Sequence, residues 1–188
     1  AELFGDQLAD RRIFITISRL AEKKNLDRLI QAVGQVNGDH PRIGLVIAGD
    51  GVLRRKLEAR VKECGLDDRV VFLGYRKDVP TLLKSADVYV IPSLREGLPR
   101  SLVEAMAVGK PVLASRINGH EEVVVDGSHG RLFDPYSVDE MADGLRYFMG
   151  LDAAGLRAQG DAAQAHVETY FNRDVMKARY RQLFEELV

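Results

Sequence analysis

The sequence predicts an α/β fold, a doubly wound parallel sheet of about six strands with helices on both faces and a helical C-terminal tail. Short β-branched or apolar runs alternate with longer amphipathic stretches, which is the mark of βαβ units on a parallel sheet. Runs such as LVIAG and DVYVIP are apolar almost throughout, so their strands are expected to be buried on both faces. Right-handed crossovers make an open, Rossmann-like sheet the economical topology, and ligands of such sheets lie beyond the carboxyl ends of the strands.

In chain order, strands are expected at Ile13–Ser18, Gly44–Ala48, Val70–Leu73, Val88–Ile91, Val112–Ala114 and Arg131–Phe133. Between them, Leu26, Leu29, Ile30 and Val33 recur at i, i+3, i+4, i+7, and Leu53, Leu57 and Val61 recur every four residues. Each set forms one apolar stripe of a helix. Further helices are expected at Val79–Ser85, Ser101–Val108 and Val138–Met149. Two more, about Ala153–Thr169 and Arg173–Leu187, make the tail. Gly65 and Gly109 stand where helices should stop. Residues 1–150 therefore read as the sheet domain, and 151–188 as helices that pack on it or reach toward another domain.

Composition narrows the function. The 188 residues carry 27 Lys plus Arg against 28 Asp plus Glu, so no overall positive charge directs the chain to nucleic acid or an anionic surface. Any anion site must be local. The single cysteine, Cys64, excludes an internal disulfide and fits a reducing, cytoplasmic setting. His40, His120, His129 and His166 show none of the spacings of a zinc site, so no metal is expected. No apolar stretch approaches the roughly 20 residues of a membrane span, and the first residues lack a signal-peptide pattern. The chain reaches its first strand almost at once, and an excised domain is the expectation.

Four loops after strand ends hold most of the unusual polar and glycine residues. In SRLAEKKN, Arg19 and Lys24 could clamp a pyrophosphate, or could be solvated loop charges. Gly49, within AGDG, lets backbone approach a ligand closely, but also suits a tight turn; the third glycine of a dinucleotide fingerprint is missing. Leu73-Gly74-Tyr75 could present backbone and an aromatic face to a base, or Tyr75 could be a structural aromatic. In PSLREGLPRSLVEAMA, Pro99 suits the first position of a helix, leaving the amides of Arg100, Ser101 and Leu102 to face an anion. Glu96 and Glu104 flank that spot. Paired carboxylates repel an anion but accept hydrogen bonds from hydroxyls, Glu96 from a sugar and Glu104 from a ribose. Glu104 also fits as an acid favoured by the helix dipole. His120, in a fifth segment after the fifth strand, reads as a surface loop histidine outside the mechanism.

Glu96, seven intervening residues and Glu104, within REGLPRSLVEAMAVGKPVLAS, resemble the paired-glutamate motif of the family 4 retaining glycosyltransferases, also called group 1. SRLAEKKN, IAGDG, VVFLGYR, ADVYVIPS and INGHEEVVVDGSHGRLFDP agree with that family in order and spacing, from about Ile13 to about Tyr136. The resemblance implies the two-domain GT-B fold, with all matched motifs in its C-terminal, donor-binding half. It also implies a missing N-terminal acceptor domain, a UDP- or GDP-sugar as substrate, no cofactor and no metal. Arg19 and Lys24 would then hold the diphosphate with Asn25 beside them, and Leu73, Gly74 and Tyr75 would surround the base. Glu96 would bind the transferred sugar, Gly97, Leu98, Pro99 and Arg100 would lie along sugar and diphosphate, and Glu104 would bind ribose. Many members read Phe-Gly where this chain has Leu98-Pro99, and the tail around Phe171-Asn172-Arg173 lacks a tryptophan often seen nearby.

On this reading Glu96, Arg19 and Lys24 are the candidate catalytic residues of a hexosyltransferase. Fixed cations and helix amides would stabilise charge building on the leaving diphosphate, in place of a metal. The isolated domain is expected to be inactive alone, and peripheral membrane association of the parent is left open. A stand-alone nucleotide-binding module and an NAD-dependent enzyme of the same sheet class are the competing readings.

Overall fold

The computed structural model describes residues 3–97, 99–172, 175, 177, 181, 182, 184 and 185. Strands β1 (Arg12–Ile17), β2 (Ile43–Ala48), β3 (Val70–Gly74), β4 (Val88–Ile91), β5 (Val112–Ser115) and β6 (Gly130–Phe133) form one parallel sheet in the order β3-β2-β1-β4-β5-β6. The connecting helices are α1 (Leu26–Asn37), α2 (Arg54–Glu63), α3 (Val79–Ser85), α4 (Arg100–Ala107), α5 (Asn118–Glu121), α6 (Val138–Gly150) and α7 (Ala153–Tyr170). This is the Rossmann-like α/β sheet that the alternating pattern predicts.

Period-two alternation along each strand supplies two separate cores. Phe14, Leu45 and Ile47 face the layer made by α1, α2 and α6, where Leu29, Ile30, Leu57 and Leu145 are fully buried. Ile13, Ile15 and Val46 face the opposite layer, with Leu82 of α3, Leu102 of α4 and Ala163 of α7. Burial on both faces holds for β2, β4 and β5, every residue of which is buried. It does not hold at the edges, where β3 is mostly half-buried and Arg131 of β6 is exposed. An edge strand has a neighbour on one side only, so solvent reaches its residues.

The helices predicted between Leu26 and Thr169 form, with boundaries moved by a few residues, and α2 and α4 are followed by Gly65 and Gly109 in the left-handed region. α7 packs on α4 and buries Ala163 and Val167. The helix expected over Arg173–Leu187 lies largely outside the described residues. Among the described residues no helix is long and apolar enough to cross a membrane.

β1 pairs with β2 on one side and β4 on the other, through Phe14 to Leu45 and Phe14 to Val88. The direction of winding reverses between β1 and β4, the point at which ligands of such sheets bind beyond the strand ends. The loops after β1 and β4, which carry Arg19, Lys24 and Glu96, flank it.

Candidate functional site at the strand carboxyl ends

The loops after β1, β2 and β3 are bound to one another through their backbones. Ser18 N donates to Ala48 O (3.0 Å), Leu20 N to Asp50 O (2.9 Å), Leu53 N to Leu20 O (3.2 Å) and Gly49 N to Gly74 O (2.7 Å). Gly49 has φ 137, and a Cβ there would lie 1.9 Å from Ser18 O. Glycine is therefore required for the loops to meet at all. Their meeting leaves a cleft of about 730 Å³ lined by Ser18, Arg19, Gly49, Asp50, Tyr75, Arg76 and Lys77 among others. That volume suits a nucleotide-sized ligand. Arg19 is exposed and, among the described residues, forms no ion pair, so its guanidinium can meet an anion. Tyr75 is 74% exposed at the rim. Arg76 is bound to Asp78 by two bonds of 2.8 and 2.5 Å, which hold the Asp78 carboxyl below the usual carboxylate range.

A second cluster stands on the β4 side. Lys24 closes a 3-10 turn at Glu22–Lys24, and the loop after β4 is tied to that turn by Leu94 N donating to Lys23 O (2.8 Å). This brings the Lys24 ammonium onto Oε1 of Glu96, with side-chain exposures of 16% and 12%. Ser93 Oγ donates to the same carboxylate oxygen at 2.8 Å. Burial by itself would raise the Glu96 carboxyl, but the hydrogen bonds from Lys24 and Ser93, with the charges of Lys24 and Lys23, outweigh it. The group is held below the usual carboxylate range. Desolvation cancels much of what a buried pair gains from its attraction, so this pair is poor as a stabiliser and better understood as a prepared polar site.

α4 rises behind this cluster. Pro99 is buried and caps the helix rather than opening it: its carbonyl accepts from Leu102 N (2.9 Å) and Val103 N (3.2 Å). That corrects two expectations. The helix starts at Arg100, and the Leu102 amide is used internally instead of facing an anion. Arg100 and Glu104 are exposed on the helix. Beneath the helix, Tyr89 Oη donates to Ser101 Oγ at 2.8 Å. Burial pushes the Tyr89 phenol up, the Ser101 bond opposes it, and the charges of Glu96 and Glu104 add to the rise. Both carboxylates thus act on one point under the tip of α4.

His120 overturns its expectation as a surface residue. It is fully buried on α5, held there because α5 seats directly beneath the Glu96 loop. At Gly119 a Cβ would lie 2.4 Å from Gly97 O and 3.3 Å from Glu96 O. His120 Nδ1 is 2.9 Å from Ser115 O and 3.1 Å from Ser115 Oγ, and Ser115 Oγ donates to Ser93 O at 2.6 Å. Burial lowers the His120 pKa; the Ser115 bond and the Glu96 charge oppose this, and Lys24 adds to it.

Several residues expected around a ligand also make structural contacts. Asn25 is 5% exposed in a left-handed turn. Its amide donates to Pro135 O (2.7 Å) and accepts from Arg28 (2.9 Å), so it joins the β1 and β6 loops. Leu73 is partly buried against the core, and the Gly74 carbonyl is taken by Gly49, leaving Tyr75 as the member of that trio that lines the cleft. Leu98 lies outside the described residues, and Gly97 is exposed beside Glu96. Ser93, Ser115 and His120 were missed, as were Asp50, Arg76 and Lys77 on the cleft wall. Ser18, Ser93 and Ser115 all stand at carboxyl ends of neighbouring strands, and that recurrence was a signal the sequence did carry.

Comparison with known proteins places the fold in a family. The chain is 35% identical over 172 residues to an exopolysaccharide phosphotransferase of Streptomyces coelicolor, covering 90% of this chain and 18% of that protein. It is 34% identical over 136 residues to the UDP-Gal:alpha-D-GlcNAc-diphosphoundecaprenol alpha-1,3-galactosyltransferase of Escherichia coli, covering 71% of this chain and 35% of that protein. The chain thus spans well under half the length of these curated relatives. HepE of Anabaena, solved in complex with UDP and glucose, superposes with a TM-score of 0.86 at 28% identity, over 95% of this chain and 49% of that one. A family model described as glycosyl transferases group 1 matches residues 4–164, and the chain belongs to that family.

Proposed function

We propose that the chain is the nucleotide-sugar-binding half of a glycosyltransferase that moves a hexosyl unit from a UDP- or GDP-sugar to an acceptor, with retention at the anomeric carbon and without a metal. The observation that carries this is the pairing of Lys24 and Ser93 with an ionised Glu96 at the switch point, beside a cleft walled by Arg19, which has no ion-pair partner among the described residues. A polyol offers many hydroxyl donors, and an ionised, fixed carboxylate is suited to accept them. A diphosphate beside it meets Arg19 and, once Glu96 takes hydroxyls, Lys24.

In the transfer, the bond from the anomeric carbon to the diphosphate breaks with its electron pair going to the diphosphate. The acceptor oxygen bonds to that carbon, and its proton leaves to the departing phosphate oxygen. Arg19 and Lys24 stabilise the growing negative charge more than the ground state, which lowers the barrier. The acceptor is supplied by a separate N-terminal domain, and this domain alone binds donor without turning it over. The galactosyltransferase and HepE likenesses support a UDP-linked donor.

Calorimetry and thermal melts of the chain with UDP, GDP and NAD test the reading. UDP or GDP should raise the melting temperature with concentration, since a ligand that binds only the native state stabilises it by mass action, and NAD should not. A response to NAD alone, or turnover of donor and acceptor by these residues unaided, would overturn it. Transfer by the full-length parent that is abolished by chelation and restored by manganese would remove the metal-independent part.

A further inference from the structure

Three loops meet under Glu96, and one buried side chain joins them. Ser115 O can only accept, so the 2.9 Å contact assigns the single proton of a neutral His120 to Nδ1. Ser115 Oγ, 3.1 Å from the same nitrogen, spends its own hydrogen on Ser93 O at 2.6 Å. Ser93 Oγ in turn donates to Glu96 at 2.8 Å. The connection therefore runs from His120 on α5, through the end of β5, to the loop after β4 and its carboxylate. The far nitrogen, Nε2, is buried and has no hydrogen-bond partner among the described residues. A histidine used only to fill space would be replaced at no loss by an apolar side chain, because a buried polar atom without a partner costs free energy. The nitrogen that is bonded, Nδ1, is the one that ties His120 to the segments holding Glu96.

We propose that His120 is a positioning residue for Glu96: neutral and protonated on Nδ1, it fixes Ser115, and through Ser115 and Ser93 it sets the direction of the Glu96 carboxylate. The proposal rests on the reading of Glu96 as the acceptor of sugar hydroxyls, and it makes β5 and α5 a support for a site whose visible groups are on β1 and β4. Lys24 and Lys23 are the charged groups that face Glu96; His120 acts on it through geometry and adds no charge.

The Glu96 carboxyl, followed by carbon-detected NMR in the free chain, tests this without any ligand. His120→Leu should move its titration upward, toward the ordinary carboxylate range, because a loosened Ser93 no longer donates squarely. His120→Asn, which keeps an N–H near the place of Nδ1, should restore it. Ser115→Ala, a smaller change that keeps the backbone acceptor, should reproduce the effect of His120→Leu and decides the matter if the leucine variant fails to fold. If Ser115→Ala leaves the Glu96 titration unmoved, or His120→Leu folds and leaves it unmoved, the proposal is overturned.

Calorimetry with UDP-glucose, UDP-N-acetylglucosamine and GDP-mannose, each against its bare nucleotide, supplies the second arm. The affinity gained from the sugar should fall about tenfold in His120→Leu, the equivalent of one charged hydrogen bond, while UDP or GDP binding is unchanged. An equal loss for the bare nucleotides would also overturn it. A wild-type chain that gains nothing from any sugar would refute the role of Glu96, whereas the NMR arm still decides whether His120 positions it.

Discussion

The two ends of the crevice are built by opposite means. At the Tyr75 end, the groups that line the cleft are exposed and lie next to an edge strand: Arg19 has no ion-pair partner among the described residues, Tyr75 stands in solvent, and Arg76 is held only by its neighbour Asp78. At the Glu96 end the carboxylate is enclosed, doubly hydrogen-bonded, and backed by Ser93, Ser115 and His120 from β4, β5 and α5. Tyr75 and Arg76 follow β3, which has one neighbour in the sheet, whereas Ser93 and Ser115 belong to the ends of β4 and β5, which have two. The difference teaches that this fold can fix one part of a ligand rigidly while leaving another part to adjustable side chains. Reacting atoms gain most from the rigid end, where no reorganisation is needed during the reaction.

Substitutions at the two ends should therefore differ in size and kind. The largest effect is expected at the rigid end: Glu96→Gln in the full-length parent should cut transfer by about 100- to 1,000-fold, the scale for removing a preorganised charge-bearing group. Binding of bare UDP or GDP should stay within about twofold, which calorimetry on the same protein checks. Equal losses in both measurements would erase the distinction between the ends. Next come the glycines that let the loops meet. Gly49→Ala places a Cβ against the Ser18 backbone at a positive φ and should cost about 3 kcal/mol of stability in denaturant melts, whichever end binds what.

Arg19→Ala should weaken nucleoside diphosphate binding by about tenfold and leave the melting temperature of the free chain nearly unchanged, as expected for an exposed, unpaired cation. Unchanged affinity would remove Arg19 from the clamp. Tyr75→Ala should cost the least, about threefold in nucleotide affinity, because an exposed ring contributes only part of its stacking surface.

Acid sharpens the contrast further. Burial holds the His120 pKa below its ordinary value of 6.5, so as pH falls below 6.5 the unfolded chain takes a proton that the folded chain refuses, and stability declines until the lower folded value is passed. His129 and His166 are lowered by burial in the same direction. The difference in melting temperature between pH 7.5 and pH 5.5 should thus shrink, without vanishing, in His120→Asn. Glu96 behaves in the same sense lower on the scale: its stabilisation is complete above the ordinary carboxylate value of 4.5 and is lost as pH falls through its depressed folded value.

How much of this was legible depends on how far apart in the chain the interacting groups lie. The strand and helix alternation, the stripe Leu26, Leu29, Ile30, Val33 and the glycines after α2 and α4 are local patterns, and the structure agrees with them. Asn25 and Leu73 show the limit: both flank the site, yet a turn in the left-handed region directs the first at Pro135, and the second, in β3, packs partly buried against the core. His120 was misplaced because a short polar segment after a strand has no periodicity from which burial could be read.

The sequence by itself determined the class of fold and the presence of two cations and two carboxylates in loops after strand ends, since these follow from hydrophobic period and chain order; the switch point between β1 and β4 came from the strand order of the structure. Only the tertiary structure decided that Lys24 pairs with Glu96 across 72 residues, that Ser115 reaches Ser93 across 22, and that His120 lies beneath both. Hydrogen bonds have short range and strict direction, so a partner is settled when packing brings two backbones within a few ångströms, and no pattern along the chain encodes that distance.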